Sequence, residues 1–207
     1  MVDDCSSDRT YQRACEIAKN QPRIKVIRNP GQLFCGMTYL KALNQVQGKY
    51  VGVLDGDDTL MPNAISTIVK YYEKYPAIDF IWTKHKWHNG EMTRCKPGIS
   101  HSADRGTIFQ SEDGCRHIYS HWRTFRAEMR ERGVLFRDLK CTVDKDLGYN
   151  LEELGKGAFL PLELYNYRYH RENMSHHSQQ KAKWREIRKY HKPKSRNESV
   201  VMNVAQN

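Results

Sequence analysis

The chain has 207 residues, 39% of them hydrophobic and 28% charged, which suits one folded domain with a sizeable core and argues against a disordered chain. No apolar run reaches the length that spans a bilayer, and the start, Met1-Val2-Asp3-Asp4, lacks the basic and apolar stretches of a signal peptide. The net charge of +10 is concentrated in residues 181–196, where eight Lys/Arg stand against Glu186, so the body of the chain is not basic as a nucleic-acid-binding body would be.

The six cysteines are scattered, with no CxxC spacing, as expected of a reduced, cytoplasmic chain. Val2-Asp3-Asp4 reads as the end of a strand, followed by possible caps at Ser6, Ser7 and Asp8. A helix is expected over about 8–20, with Ala14, Ile17 and Ala18 on one face, and Pro22 ends it. Ile24–Arg28 reads as a short strand. A helix from about Met37 to Val46 turns Leu40 and Leu43 inward and stops at Gly48. The apolar strand 49–55 then runs into Asp55-Gly56-Asp57-Asp58, three carboxylates in four residues.

Pro62 suits the first turn of a further helix, in which Ala64, Ile65, Ile68, Val69 and Tyr72 recur at helical spacing. Ile78–Thr83 is another strand. Alternating strands and helices to this point predict an α/β fold with a mostly parallel sheet. Residues 84 to about 115 are rich in Gly, Ser, His and charge and read as loops. Residues 143–154 space Val143, Leu147, Leu151 and Leu154 for one buried helix face, with Gly155 as its stop. Gly157–Pro161 and Leu164–His170 read as two short strands.

Carboxylates at the carboxyl end of a strand in such a sheet lie where ligands bind, and a divalent cation carrying a phosphate would relieve their repulsion. Four segments, in order, resemble the signatures of the family-two glycosyltransferases. They are Val2-Asp3-Asp4-Cys5-Ser6-Ser7-Asp8-Arg9-Thr10; Asn44 to Val51 running into Leu54–Asp58; Asp144-Lys145-Asp146-Leu147; and Tyr167-Arg168-Tyr169-His170 with Met174-Ser175. Together they cover roughly residues 1–178.

The resemblance implies a GT-A fold, with a mostly parallel Rossmann-like sheet flanked by helices. It also implies transfer of a sugar, with inversion, from a nucleoside-diphosphate donor, UDP-sugar by expectation, to a glycan or lipid-linked acceptor. It places Mn²⁺ or Mg²⁺ on Asp58, with Asp57 sharing the metal or holding the donor ribose and Asp55 supporting the turn. Asp4, beside Asp3, resembles the acid that reads the uracil or ribose edge. Asp144 takes the place of the general base, with Asp146 second because it points elsewhere along the helix, and His170 is a metal or diphosphate contact. Lys41 or Arg28 is the expected basic group near the diphosphate. The chain departs from the pattern at Val143, where the family has an acid, and at Asn150, where it has Arg.

The family's opening strand and PxYN-type loop would precede Val2, so the catalytic domain, residues 1–178, is expected to be N-terminally incomplete. Residues 179–207 form a basic tail, read either as a solvated end or as a stretch lying on an anionic membrane surface. Other readings stand beside these: a solvated turn at 55–58, helix capping by Asp3 and Asp4, a helix-dipole acid at Asp144, and an ordinary strand histidine at His170. Cys115, His117 and His121 lack a fourth ligand for zinc. A catalytically inactive nucleotide-sugar-binding domain is the alternative function. No nucleic-acid partner is expected.

Overall fold

Phe80, Ile81 and Trp82 show how the molecule is layered. Phe80 and Trp82 lie in one buried cluster with Phe125, Phe136, Val143, Leu147 and Leu151, while Ile81 lies in a second with Ala64, Ile68, Tyr72 and Leu160. Successive side chains of a strand point to opposite faces, so an unbroken apolar run marks a strand buried on both sides. In the computed structural model, described for residues 1–100, 119–171, 173, 187, 191 and the backbone of 202–203, that strand is the middle of the sheet.

The elements are β1 (Val2–Asp3), α1 (Thr10–Ala18), β2 (Ile27–Arg28), α2 (Phe34–Leu43), β3 (Tyr50–Gly52), β4 (Thr59–Leu60), α3 (Ala64–Lys74), β5 (Phe80–Asn89), β6 (Cys95–Pro97), β7 (Arg123–Arg126), α4 (Val143–Leu154), β8 (Gly157–Tyr169) and β9 (Met202–Asn203). The main sheet runs β3-β7-β5-β8-β4, with β6 on β5 and β9 on β8. β5 pairs with β8 in parallel, but β7 lies antiparallel to both β3 and β5, and β4 antiparallel to β8. The sheet is therefore mixed rather than mostly parallel. β7, a strand from the stretch between 116 and 142 to which the sequence pattern assigned no element, makes two of the antiparallel pairings, and β4 and β6 make one each. β1 and β2 pair in parallel as a separate two-stranded sheet.

Several boundaries moved for physical reasons. β5 continues six residues past Thr83, and β6 folds back on it, where loops were expected. The two short strands expected around Pro161 are one strand, β8. Leu160 faces Thr83 and Glu163 faces Lys84, so Pro161 and Leu162 fall in the register shift. A proline without an N–H is tolerated at such a bulge. Pro62 lies in the turn before α3 rather than inside it. Helix α4 begins and ends as its periodicity predicted.

Helix α1 is the clearest departure: it has no buried residue, and Ile17 is 62% exposed. The expected basic tail is corrected at two described positions, since Ile187 is buried in the first core cluster and His191 is buried against α4. Cys115, His117, Met174, Ser175 and the lysines and arginines of 181–196 lie outside the described residues. Among the described cysteines none forms a disulfide. No helix among the described residues is long and apolar enough to cross a membrane.

Candidate active site

The acidic turn leaves β3 after the buried Val53 and closes with the Asp58 amide donating to the Asp55 carbonyl at 3.2 Å. Its three carboxylates go to three different places. Asp58 is buried against β8, where its Oδ2 accepts from the Tyr165 hydroxyl at 2.6 Å and its Oδ1 from the Arg168 amide at 2.7 Å. Asp55 accepts from the Tyr39 hydroxyl of α2. Asp57 faces the rim, where His170 Nε2 lies 2.9 Å from its Oδ2 and Asn173 Nδ2 donates to the same oxygen at 3.4 Å.

Burial pushes Asp55 up to about 6, against the pull of Arg123 and with a further push from Asp58, Asp57 and Asp144. Burial also lifts Asp58 to about 6, opposed by the hydrogen bonds from Arg168 and Tyr165. For both carboxylates burial outweighs the positive charge and hydrogen bonds nearby.

His121 supplies the third side of the pocket. Its ring stacks on Tyr165 at 4.6 Å and on Tyr167 at 5.5 Å. Desolvation and the Arg123 charge hold its pKa well below the ordinary imidazole value, so it is neutral and keeps a lone pair. Ligand atoms of Asp55, Asp58 and His121 lie within 4.8 Å of one another. Two carboxylates whose ionised forms are disfavoured by burial and one neutral imidazole fit a divalent cation of the Mn²⁺ or Mg²⁺ kind. This grouping shares Asp58 with the expected set of Asp57, Asp58 and His170, while Asp57 and His170 are paired with each other beside it.

Asp144 stands in the first turn of α4, its side chain 47% exposed, with Oδ2 3.9 Å from Arg123 Nη1. Arg123 itself is buried, and its Nε has no hydrogen-bond partner. A cavity of about 320 Å³ is lined by Asp55, Asp57, His121, Arg123 and Asp144, so the acidic turn and the expected base share one space. Cys35 also lines it, but burial and the charges of Asp55 and Asp144 push its thiol up to about 12, which leaves no thiolate for nucleophilic work.

Asp4 and Asp3 lie apart from that cavity's lining. Asp4 Oδ1 accepts from Asn29 Nδ2 at 2.7 Å and the Leu33 amide at 2.8 Å, and Oδ2 from the Phe34 amide at 2.8 Å. Burial alone would raise its pKa, but these bonds, with Thr38, outweigh it and hold the carboxyl below the usual range. Asp3 is buried, accepts from the Ser6 amide at 3.2 Å and pairs with Arg28 at 3.4 Å. Lys41 donates to Asn29 Oδ1 at 2.8 Å, so both expected basic groups are engaged on this loop. Asp146 points away into a buried cluster with Arg137 and His191. His121 was weighed in the sequence only for zinc with Cys115 and His117, and no site role was read for Arg123, Tyr39 or Tyr165. The alternation in Arg123-Thr124-Phe125-Arg126 was a usable strand signal for one of them; no local pattern marks the others.

Residues 1–133 match the model of glycosyl transferase family 2. The chain belongs to that family. Among curated relatives of this family-two chain, chondroitin synthase of Pasteurella multocida (strain Pm70) is 25% identical over 179 residues, covering 84% of this chain and 18% of the relative. Chondroitin synthase of Escherichia coli is 27% identical over 178 residues, again 84% of this chain and 25% of the relative. The family-two chain thus spans a quarter or less of those proteins' length. In structure it is similar to S. aureus TarS 1-349 in complex with UDP-GlcNAc, with a TM-score of 0.72 at 21% identity over 90% of this chain and 54% of that one. A mannosyltransferase from Pyrobaculum calidifontis in complex with GDP-Man and Mn²⁺ aligns with a TM-score of 0.60 at 13% identity, covering 83% and 48%. These likenesses establish the GT-A-type α/β fold.

Proposed function

We propose that this chain is the catalytic part of an inverting glycosyltransferase that moves a sugar from a uridine diphosphate donor to a hydroxyl of a glycan or lipid-linked glycan. The observation that carries this reading is that Asp55 and His121, two members of the Asp55–Asp58–His121 cluster, line one cavity of a family-two chain together with the half-exposed carboxylate Asp144. The UDP-GlcNAc named for TarS supports the donor class.

Asp55, Asp58 and His121 would hold Mn²⁺ or Mg²⁺, with Asp57 and His170 beside them. Bound there, the cation would offset the charge that builds on the diphosphate leaving group. The chain's own groups do the rest. Asp144 accepts the proton of the acceptor hydroxyl as that oxygen attacks the anomeric carbon from the face opposite the diphosphate. Arg123 holds Asp144 Oδ2 from the cavity wall. Tyr165 and the Arg168 amide fix the Asp58 carboxylate, so little reorganisation is needed when a cation enters. Asp4 holds the 29–34 loop that, in this reading, borders the nucleoside, with Asp3 anchoring its other side through Arg28.

The test is sugar transfer from UDP-sugars with Mn²⁺ by the full protein, comparing wild type with Asp144→Asn. Transfer should fall about 10²–10⁴-fold with donor binding little changed. Equal rates would remove Asp144 as the base.

A further inference from the structure

Asp146, Tyr149 and Glu153 stand at positions i, i+3 and i+7 of α4 and so share one face of the helix over two turns. None of them lines the cavity that Asp144 shares with the acidic turn. His191 lies across this face. Its Nε2 is 2.9 Å from Asp146 Oδ1, its Nδ1 is 3.0 Å from Glu153 Oε2, and its ring stacks on Tyr149 at 5.1 Å. Arg137, from the segment before α4, donates to the same Asp146 oxygen, with Nη1 3.0 Å from His191 Nε2. The His191 side chain is fully buried. Asp146 is buried as well, and its Oδ2 has no hydrogen-bond partner among the described residues. Its polar contacts therefore rest on Arg137 and His191, and a buried carboxylate that loses such a partner is strongly disfavoured.

The first turn of α4 has little else to fasten it. The helix starts from Thr142, which sits in the left-handed region at φ 61° and makes no side-chain cap. That region is unfavourable for a β-branched residue. Asp144 is half exposed, with Arg123 3.9 Å away. Asp144 and Asp146 are two residues apart in this turn, and the Asp146 amide donates to the Thr142 carbonyl at 3.1 Å. Whatever fixes Asp146 thus fixes the backbone that carries Asp144. Ile187, four residues before His191, is buried in the same core cluster as Val143, Leu147 and Leu151, so the segment bearing His191 is itself anchored.

We propose that His191 is a positioning residue for the transfer reaction: it clamps two turns of α4 and so holds Asp144 at its place in the cavity wall. This rests on the reading of Asp144 as the base. The clamp makes a residue of the basic region part of the catalytic unit.

The experiment uses the full protein with Mn²⁺, UDP-GlcNAc (the nucleotide sugar named for TarS) and the best-used of a panel of neutral and uronate-containing oligosaccharides. His191→Ala should lower kcat about ten- to a hundredfold and leave both KM values within about twofold, since it shifts a reacting group without touching a ligand. His191→Gln sets an amide nitrogen where Nε2 stands and keeps the Asp146 contact, so it should recover most of the loss. His191→Asn matches Nδ1 and faces Glu153 instead, and should recover little. On an Asp144→Asn background, His191→Ala should change kcat by less than about twofold, because the group it positions is gone. A merely structural role predicts equal losses in both backgrounds and equal recovery by Gln and Asn; either result would overturn the proposal. Should the alanine variant fail to fold, the Gln and Asn variants carry the same comparison. Hydrogen exchange of the α4 amides, read without donor or acceptor, should be faster in His191→Ala and His191→Asn than in wild type, with α3 unchanged. Unchanged exchange in α4 would remove the clamp, whatever the enzyme turns over. If α4 loosens but Asp144→Asn transfers like wild type, the clamp stands and the reading of Asp144 as the base fails.

Discussion

Asp55 and Asp58 carry a charge problem that the fold maintains. Each has a folded pKa of about 6, against about 3.9 for an unperturbed aspartate. Between those values the folded chain binds more protons than the unfolded one, so stability falls as pH rises from about 4 through 6 and levels off above. A divalent cation competes with the same protons, so its affinity should rise over that window. Thermal melts from pH 4 to 8, with and without Mn²⁺, should show stabilisation by the cation that grows up to about pH 6 to 7. Asp58→Ala should abolish it, and a cation shift that persists in this variant would place the metal elsewhere. The variant should also lose Mn²⁺-stimulated transfer, because it removes one proposed ligand and leaves the Tyr165 hydroxyl without its acceptor. The aspartates were legible in the sequence as residues of interest. Their division of labour was not, because Asp57 pairs with His170 while Asp55 and Asp58 lie near His121, 63 positions beyond Asp58.

The placing of Asp144 belongs to the elements around it. Helix α4 was readable from its 3.6-residue spacing, but its position is set by the strand-free stretch before it, whose backbone lies against the start of α2. The Gly36 amide donates to the Leu139 carbonyl at 2.9 Å, and a Cβ on Gly36 would overlap the Arg137 carbonyl and the Leu139 backbone. Backbone cannot swing aside as a side chain does. Gly36→Ala should therefore cost about 2 kcal/mol or more and displace the approach to Asp144, giving a lower kcat in the folded fraction. A urea midpoint within error of wild type would contradict that packing. β5 and β8 show the opposite case: long strands were broken into short ones in the sequence by Pro161 and by a polar run after Thr83. Their pairing over ten positions overrode both signals.

Across the whole chain, burial is uneven in a way that predicts which apolar residues matter. Ile17 on α1 is exposed and Ile187, far along the basic region, is 2% exposed inside the main core. Ile187→Ala should cost about 2–4 kcal/mol and Ile17→Glu less than about 0.5 kcal/mol, read as shifts in urea midpoint at constant slope. The reverse order would mean that α1 packs against something and the later segment does not. Local rules were enough to read α2, α3, α4, the acidic turn and the family, because helical spacing, chain punctuation and short motifs are written over a few neighbouring residues. They could not give β7, the mixed sheet, the grouping of Asp55 and Asp58 with His121 or the burial of Ile187 and His191. Each of these depends on residues far apart in sequence meeting to cover apolar surface and pair polar groups, and a contact of that kind leaves no periodic mark on either partner.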